Sequence, residues 1–172
     1  MNTLEDTLNT LTPDAQKLTR MVLSASREFM AADGNLEPIL FVVNQAGLKD
    51  CFPLGNMMDL ENKPALWAGV RQLRRACPVV GMVTEVWMAE CKGRQWDGVM
   101  PRDREDRKEM AMFHLWQGSR SVTFAADIQR TPNSLAPWKI MFDSHFPKTG
   151  MSGANRVEGA MMDGEPYAGE GN

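Results

Sequence analysis

The side chains best suited to catalysis are one glutamate and one histidine, each within a strongly apolar stretch. Glu85 lies in VVGMVTEVWMAEC at 79–91, and His114 lies in EMAMFHLW at 109–116. A carboxyl group among apolar side chains can have a raised pKa and act as a general base. A small hydrolase that uses Glu85 and His114 is therefore one reading of the sequence.

Both residues also have an ordinary structural interpretation. A glutamate in the middle of a strand is commonly ion-paired, and Arg107 is a candidate partner across a hairpin. A lone histidine on an apolar strand is commonly a hydrogen-bonded core residue. An enzyme would need a third group such as Asp106 or Asp127, and no nucleophile, base and orienting residue occur at a recognisable spacing. The sequence therefore favours a protein that is not an enzyme.

Signatures of metal and cofactor binding are missing from the sequence. Cys51, Cys77 and Cys91 are widely spaced, and neither histidine has a second histidine or a cysteine close to it. Zinc sites usually contain such close pairs. The glycine-rich phosphate-binding patterns and the G-x-S-x-G pattern are also missing. We therefore expect no metal, no cofactor and reduced thiols.

The most conspicuous polar feature is the loop PRDREDRKE at 101–109, in which arginines alternate with acids. Tryptophan and arginine are enriched at the energetic centres of protein interfaces. We therefore predict an interface formed by Trp96, Met100, Arg102, Arg104, Arg107 and Trp138. An exposed edge strand near the last of these residues would be able to pair with another chain. The alternative is a solvated loop whose charges neutralise one another.

Two amphipathic helices are predicted to support these groups. The triplet Thr-Pro-Asp at 12–14 is typical of a helix start, and Gly34 is typical of a helix end. Apolar residues recur between them at three- and four-residue spacing, which predicts one buried stripe. Its members are Ala15, Leu18, Met21, Val22, Ala25, Phe29 and Met30. The second helix begins at 62–64 and ends at Pro78.

Six strands complete the predicted fold. The stretches 79–91 and 109–116 are apolar on both faces, which is typical of central strands that are covered on each side. Shorter strand patterns occur at 38–44, 49–54, 121–129 and 138–143. The resulting order, α-β-β-α-β-β-β-β, predicts an α+β protein with an antiparallel sheet and two helices packed on one face.

Composition favours one globular domain. The chain has 172 residues, 43% of them hydrophobic and 24% charged, with a net charge of -3. We predict a frayed N-terminus at 1–11, a single α+β domain at 12–146 and a glycine-rich flexible tail at 147–172. Without a basic stripe, an apolar run of about 20 residues or a secretory signal, we expect a cytoplasmic protein that binds neither nucleic acid nor membrane.

The second half of this domain resembles an uncharacterised group of small bacterial and phage α+β proteins. The shared pattern is a strand, E-x-W-M, a polar loop, P…D-R-x-E and a further strand. It is matched by Glu85, Trp87, Met88, Pro101, Asp106, Arg107 and Glu109. The resemblance implies the order of elements and no activity, and a phage origin would suit an accessory protein or a host-directed inhibitor in the host cytoplasm. We predict a non-enzymatic protein-interaction module that binds another protein or, as a homo-oligomer, itself.

Overall fold

The computed structural model describes residues 3–59, 61–89, 99 and 101–145, and the predicted tail at 147–172 lies outside them. The helices are α1 (Leu4–Asn9), α2 (Pro13–Asp33) and α3 (Lys63–Ala76). The strands are β1 (Ile39–Val43), β2 (Lys49–Pro53), β3 (Val79–Met88), β4 (Lys108–Gln117), β5 (Arg120–Arg130), β6 (Asn133–Leu135) and β7 (Lys139–His145). Short 3-10 turns occupy Gly55–Met58 and Pro101–Asp103.

The strands form one antiparallel sheet in the order β2-β1-β3-β4-β5. Both β6 and β7 pair with the remaining side of β5. The predicted α+β class and the order of the main elements are confirmed, with α1 and the short β6 as additions. None of the helices in the described ranges is long and apolar enough to cross a membrane.

Residues Leu4–Asn9, within the segment predicted to be frayed over 1–11, form the helix α1. The Thr3 hydroxyl accepts the N–H of Asp6 at 3.1 Å, and the Asp6 carboxylate accepts the N–H of Thr3 at 3.0 Å. This reciprocal pair is a capping box. Leu8 and Leu11 are buried in the main core. Since a helix of six residues is unstable alone, the cap and this burial together hold α1 in place.

The sheet is covered on both faces, as its apolar central stretches predict, but α2 and α3 do not share a face. In β3, Val79 and Val83 join the core under α2, whereas Val80 and Met82 join the core under α3. Successive side chains of a strand point to opposite faces. The prediction that two helices pack on one face is therefore wrong, because an amphipathic pattern does not specify which face of a sheet the helix meets.

Candidate functional site

An open, mostly apolar groove of about 390 Å³ lies between α2 and the first strands of the sheet. Side chains of α2 form one wall, and β1, β2 and β3 provide the floor. The residues that line it are Met21, Val22, Ala25, Ser26, Phe29, Asp33, Asn35, Leu36, Glu37, Ile39, Phe41, Cys51 and Val83. None of them was among the predicted site residues.

The helical wall of the groove is the outer part of the apolar stripe of α2. Met21, Ala25 and Phe29 are four residues apart and therefore share one side of the helix. Phe29 is 54% exposed and Met21 is 46% exposed, which corrects the prediction that both are buried. The reason is the position of α2, which contacts mainly β6, β4 and β3, so that no described strand or helix lies over Met21 and Phe29.

The floor of the groove is a strip of sheet about as wide as one helix. Phe41 of β1 and Cys51 of β2 are register partners, so both face the α2 side of the sheet. Phe41 is half-buried and Cys51 is exposed. Two strands about 4.8 Å apart present a strip roughly 10 Å wide. The diameter of an α-helix with its side chains is also about 10 Å.

The outer edge of β2 is poorly suited to pairing with another strand. Backbone hydrogen bonds join Leu48 and Leu54, at either end of β2, to the β1 side. Because such bonds alternate along an antiparallel strand, the backbone groups at 51 and 53 face outward. Pro53 has no N–H, and the N–H of Cys51 donates to the Asp50 carboxylate at 2.9 Å. Proline and charged residues on an edge strand hinder strand addition.

The end of the groove beside the C-terminus of α2 is acidic. Asp33 is the last residue of α2, and Glu37 lies three residues after Gly34, which ends the helix. Both carboxylates are exposed, and the last turn has no basic residue. The C-terminus of a helix carries partial negative charge, so an acid there is unfavourable. This end of the groove therefore favours a positively charged ligand group.

Glu85 and Arg130 hold the turn that borders this end. Glu85 Oε1 accepts the N–H of Leu36 at 2.7 Å, and Glu85 Oε2 lies 3.3 Å from Arg130 Nη2. Arg130 also contacts both carboxylate oxygens of Glu109, at 2.7 and 2.8 Å, and donates to the carbonyl of Gly34. The hydrogen bond from Arg130 lowers the pKa of Glu109 below its usual 4.5. Glu85 therefore has the structural role of an ion-paired strand residue, with a partner other than Arg107.

The sheet separates the two residues of the alternative catalytic pair. Glu85 is the register partner of Ala111, and His114 is the register partner of Met82. Ala111 belongs to the core under α2, whereas Met82 belongs to the core under α3. Glu85 and His114 therefore project from opposite faces and do not form one site.

His114 has the environment of a core residue. Its Nδ1 lies 3.0 Å from the Thr123 hydroxyl, and its ring stacks on Trp116 with centroids 5.8 Å apart. Burial lowers the pKa of His114 to about 4, so the imidazole is neutral at pH 7. Its Nε2 has no hydrogen-bond partner within the described part of the chain.

The three arginines of the predicted interface all contact residues of their own loop or of the adjacent strand β3. Arg102 and Arg104 each pair with an acid of the same loop, at 3.8 and 2.9 Å. Arg107 lies over the ring of Trp87, 4.9 Å from guanidinium carbon to centroid, and donates to the carbonyl of Arg102. These contacts support the alternative of a loop whose charges neutralise one another.

The predicted tryptophan and methionine anchors do not form an exposed patch in the described residues. Trp138 is buried and its indole N–H donates to the carbonyl of Leu23 at 3.1 Å, which corrects the prediction that it contacts a partner. Trp96 and Met100 lie outside the described residues. The strand that follows Trp138, β7, pairs with β5 on one side. Among the described strands it is therefore an edge strand, as predicted.

Metal-binding geometry was searched over the same ranges. Within 3–59, 61–89, 99 and 101–145, no group of three or more His, Cys, Asp and Glu residues is arranged to hold an ion. Cys51 and Cys77 have free thiols, and Cys91 lies outside those ranges.

Comparison with known proteins gives no assignment: no family model matches the chain, and no curated protein or solved structure matches it. The resemblance to small bacterial and phage proteins stays a prediction. The groove beside α2 is therefore interpreted from its own geometry.

Proposed function

We propose that this protein is a non-enzymatic interaction module whose groove binds one α-helix of a partner protein. The observation that carries the proposal is the exposure of Met21 and Phe29 along the wall of an apolar groove. Grouped, exposed apolar side chains are typical of protein interaction sites. Their burial by a partner would supply the hydrophobic contribution to binding.

A helix suits this groove better than a strand does. The floor formed by β1 and β2 is about one helix wide. A helix lying on it would pack beside α2 at an interaxial distance of about 8–10 Å and contact Met21, Phe29 and Phe41. Strand addition at β2 is hindered by Pro53 and by the Asp50 carboxylate that occupies an outward N–H. Helix-in-groove binding, with apolar anchors at three- and four-residue spacing, is a common recognition mode.

The occupant is more readily a different protein than a second copy of this chain. The apolar face of α3 is already buried through Leu66, Trp67 and Val70, and α1 is anchored through Leu8. Apart from α2, whose own outer side forms the wall of the groove, none of the described helices has an unused apolar face to place in the groove of a second copy. The expectations of a phage accessory protein or host-directed inhibitor, and of action in the cytoplasm, rest on the sequence and are part of the same proposal.

The test compares two tryptophan substitutions at neighbouring positions of α2. Ala25 lines the groove, so Ala25→Trp would fill it, whereas Ser24 is exposed and lies outside the lining. Each variant and the unmodified protein would be used for affinity capture from lysate of the source cells, with quantitative mass spectrometry. We expect at least one protein whose recovery falls about tenfold or more with Ala25→Trp, as for loss of an interface hot spot, and is unchanged with Ser24→Trp.

Two outcomes would contradict the proposal. If every captured protein behaves alike with both variants, the groove is not the docking site. If native mass spectrometry finds instead a bound small molecule that Ala25→Trp displaces, the groove is a ligand pocket, since 390 Å³ also suits a small ligand. Equal melting temperatures of the two variants would show that the comparison concerns binding and not folding.

A further inference from the structure

We infer that the partner helix carries a lysine or arginine at the end that meets the C-terminus of α2; this inference rests on the function proposed above. It names the chemistry of the occupant and its direction along the groove. The reason is the difference in charge between the two ends of the groove.

No cation lines the acidic end of the groove in the described part of the chain. Among the described lining residues, Asp33 and Glu37 carry negative charge and none carries positive charge. Neither carboxylate forms a salt bridge within the described ranges. A guanidinium or ammonium group from a partner would therefore meet two carboxylates that have no cationic partner in the described ranges.

The turn that presents this end is held in position before any partner binds. Leu36 is fixed by the Glu85 carboxylate and Gly34 by Arg130. The Arg130 guanidinium joins this turn to the sheet, because it also pairs with Glu85 and Glu109. A rigid acidic turn costs little to order on binding, which favours recognition of a cation at one defined position.

The opposite end of the groove floor carries a positive charge. Lys49 is the register partner of Val43 and lies on the α2 face of β2, at the far end from the Pro53 and Ile39 pair. A cation on the partner would be repelled there and attracted at the Asp33 end. The two ends together therefore specify which way a charged amphipathic helix lies in the groove.

The probe for this inference is a displayed library of single amphipathic helices of 18 residues. Apolar anchors at positions i, i+4, i+7 and i+11 are kept constant, and the residues at both ends vary among Lys, Arg, Glu, Gln and Ala. Selection on the unmodified protein should enrich Lys or Arg at one end only. For a selected peptide, replacing that cation by Gln should weaken binding roughly fivefold at low salt, and the difference should shrink as salt screens the charges.

A charge reversal on the protein supplies the matched control. Asp33 and Glu37 are exposed, so Asp33→Lys with Glu37→Lys should fold normally and should select peptides with Glu at the same end. Peptides that lose binding with Ala25→Trp but have no charge preference would overturn this inference and leave the groove function standing. Failure to select any peptide that is sensitive to Ala25→Trp would overturn both.

Discussion

The inner and outer sides of the stripe on α2 are both apolar, but their surroundings differ. Leu18, Val22 and Met30 on the inner side are 3% exposed or less, within a core that reaches from β3 to β5. Met21 and Phe29 on the outer side are about half exposed and face the groove over β1 and β2. The difference lies in what covers each side, because the helix is centred over the later strands of the sheet.

This comparison separates residues that stabilise the fold from residues available for binding. A sheet of this width has room for more than one helix on a face. On the face that α2 occupies, the strip above β1 and β2 holds no described helix. Apolar side chains at its border therefore contribute little to folding and are the natural contacts for a partner.

The largest contrast is expected between Leu18→Ala and Phe29→Ala. Leu18 is 1% exposed, and its truncation leaves a cavity in the main core that should lower the free energy of unfolding by about 2–5 kcal/mol. Phe29 is 54% exposed, so its truncation should change the same quantity by less than about 0.5 kcal/mol. Urea denaturation of both variants measures the difference. Similar losses would mean that the outer side of the stripe is part of the core.

His114, which is buried on the α3 face of the sheet, should make the free energy of unfolding depend on pH. The pKa of His114 is about 4 in the folded protein, below the ordinary 6.5. Between pH 6.5 and 4 the unfolded chain binds a proton that the folded protein does not, so stability falls as the pH falls. The loss should be about 3 kcal/mol across this window.

His114→Gln removes that titration and should flatten the pH dependence of the unfolding free energy between pH 6.5 and 4. The measurement is urea denaturation at several pH values. An unchanged slope would mean that His114 is protonated in the folded protein or that another group dominates the acid response.

A smaller effect is expected for the network that holds the turn beside the groove. Arg130→Met leaves Glu85 and Glu109, both about three-quarters buried, without their cation. We expect a loss of about 1–2 kcal/mol and faster hydrogen exchange at the N–H of Leu36. Arg20→Met is the matched control, because its pair with Glu5 is largely exposed and should contribute little to stability. Equal effects of the two variants would contradict a special role for Arg130.

Residue patterns in the sequence were sufficient to predict the larger helices and strands of this fold. Strand stretches apolar on both faces predicted the covered centre of the sheet, and the Thr-Pro-Asp triplet and Gly34 bounded α2 within a residue. These signals are local, since they depend on periodicity and on the backbone preferences of proline and glycine. The short α1 was not predicted, although Thr3 and Asp6 have the spacing of a capping box, because its stability also depends on the burial of Leu8 and Leu11 against distant residues.

The candidate site depended on relationships between elements that are distant in the chain. Glu85 and His114 looked like partners in the sequence, but strand register placed them on opposite faces. Trp138 looked like an exposed anchor, but it fills the core beside α2.

Amphipathicity established that α2 has an apolar side, whereas the lateral position of α2 on the sheet decided which of its residues stay exposed. That position depends on how closely the helix packs on the sheet. A Cβ on Gly81 would lie 2.8 Å from the Phe113 ring and 3.5 Å from Leu18 of α2. The groove is therefore a property of the tertiary structure, because burial is set by the whole set of packed neighbours and not by the order of residues in one helix.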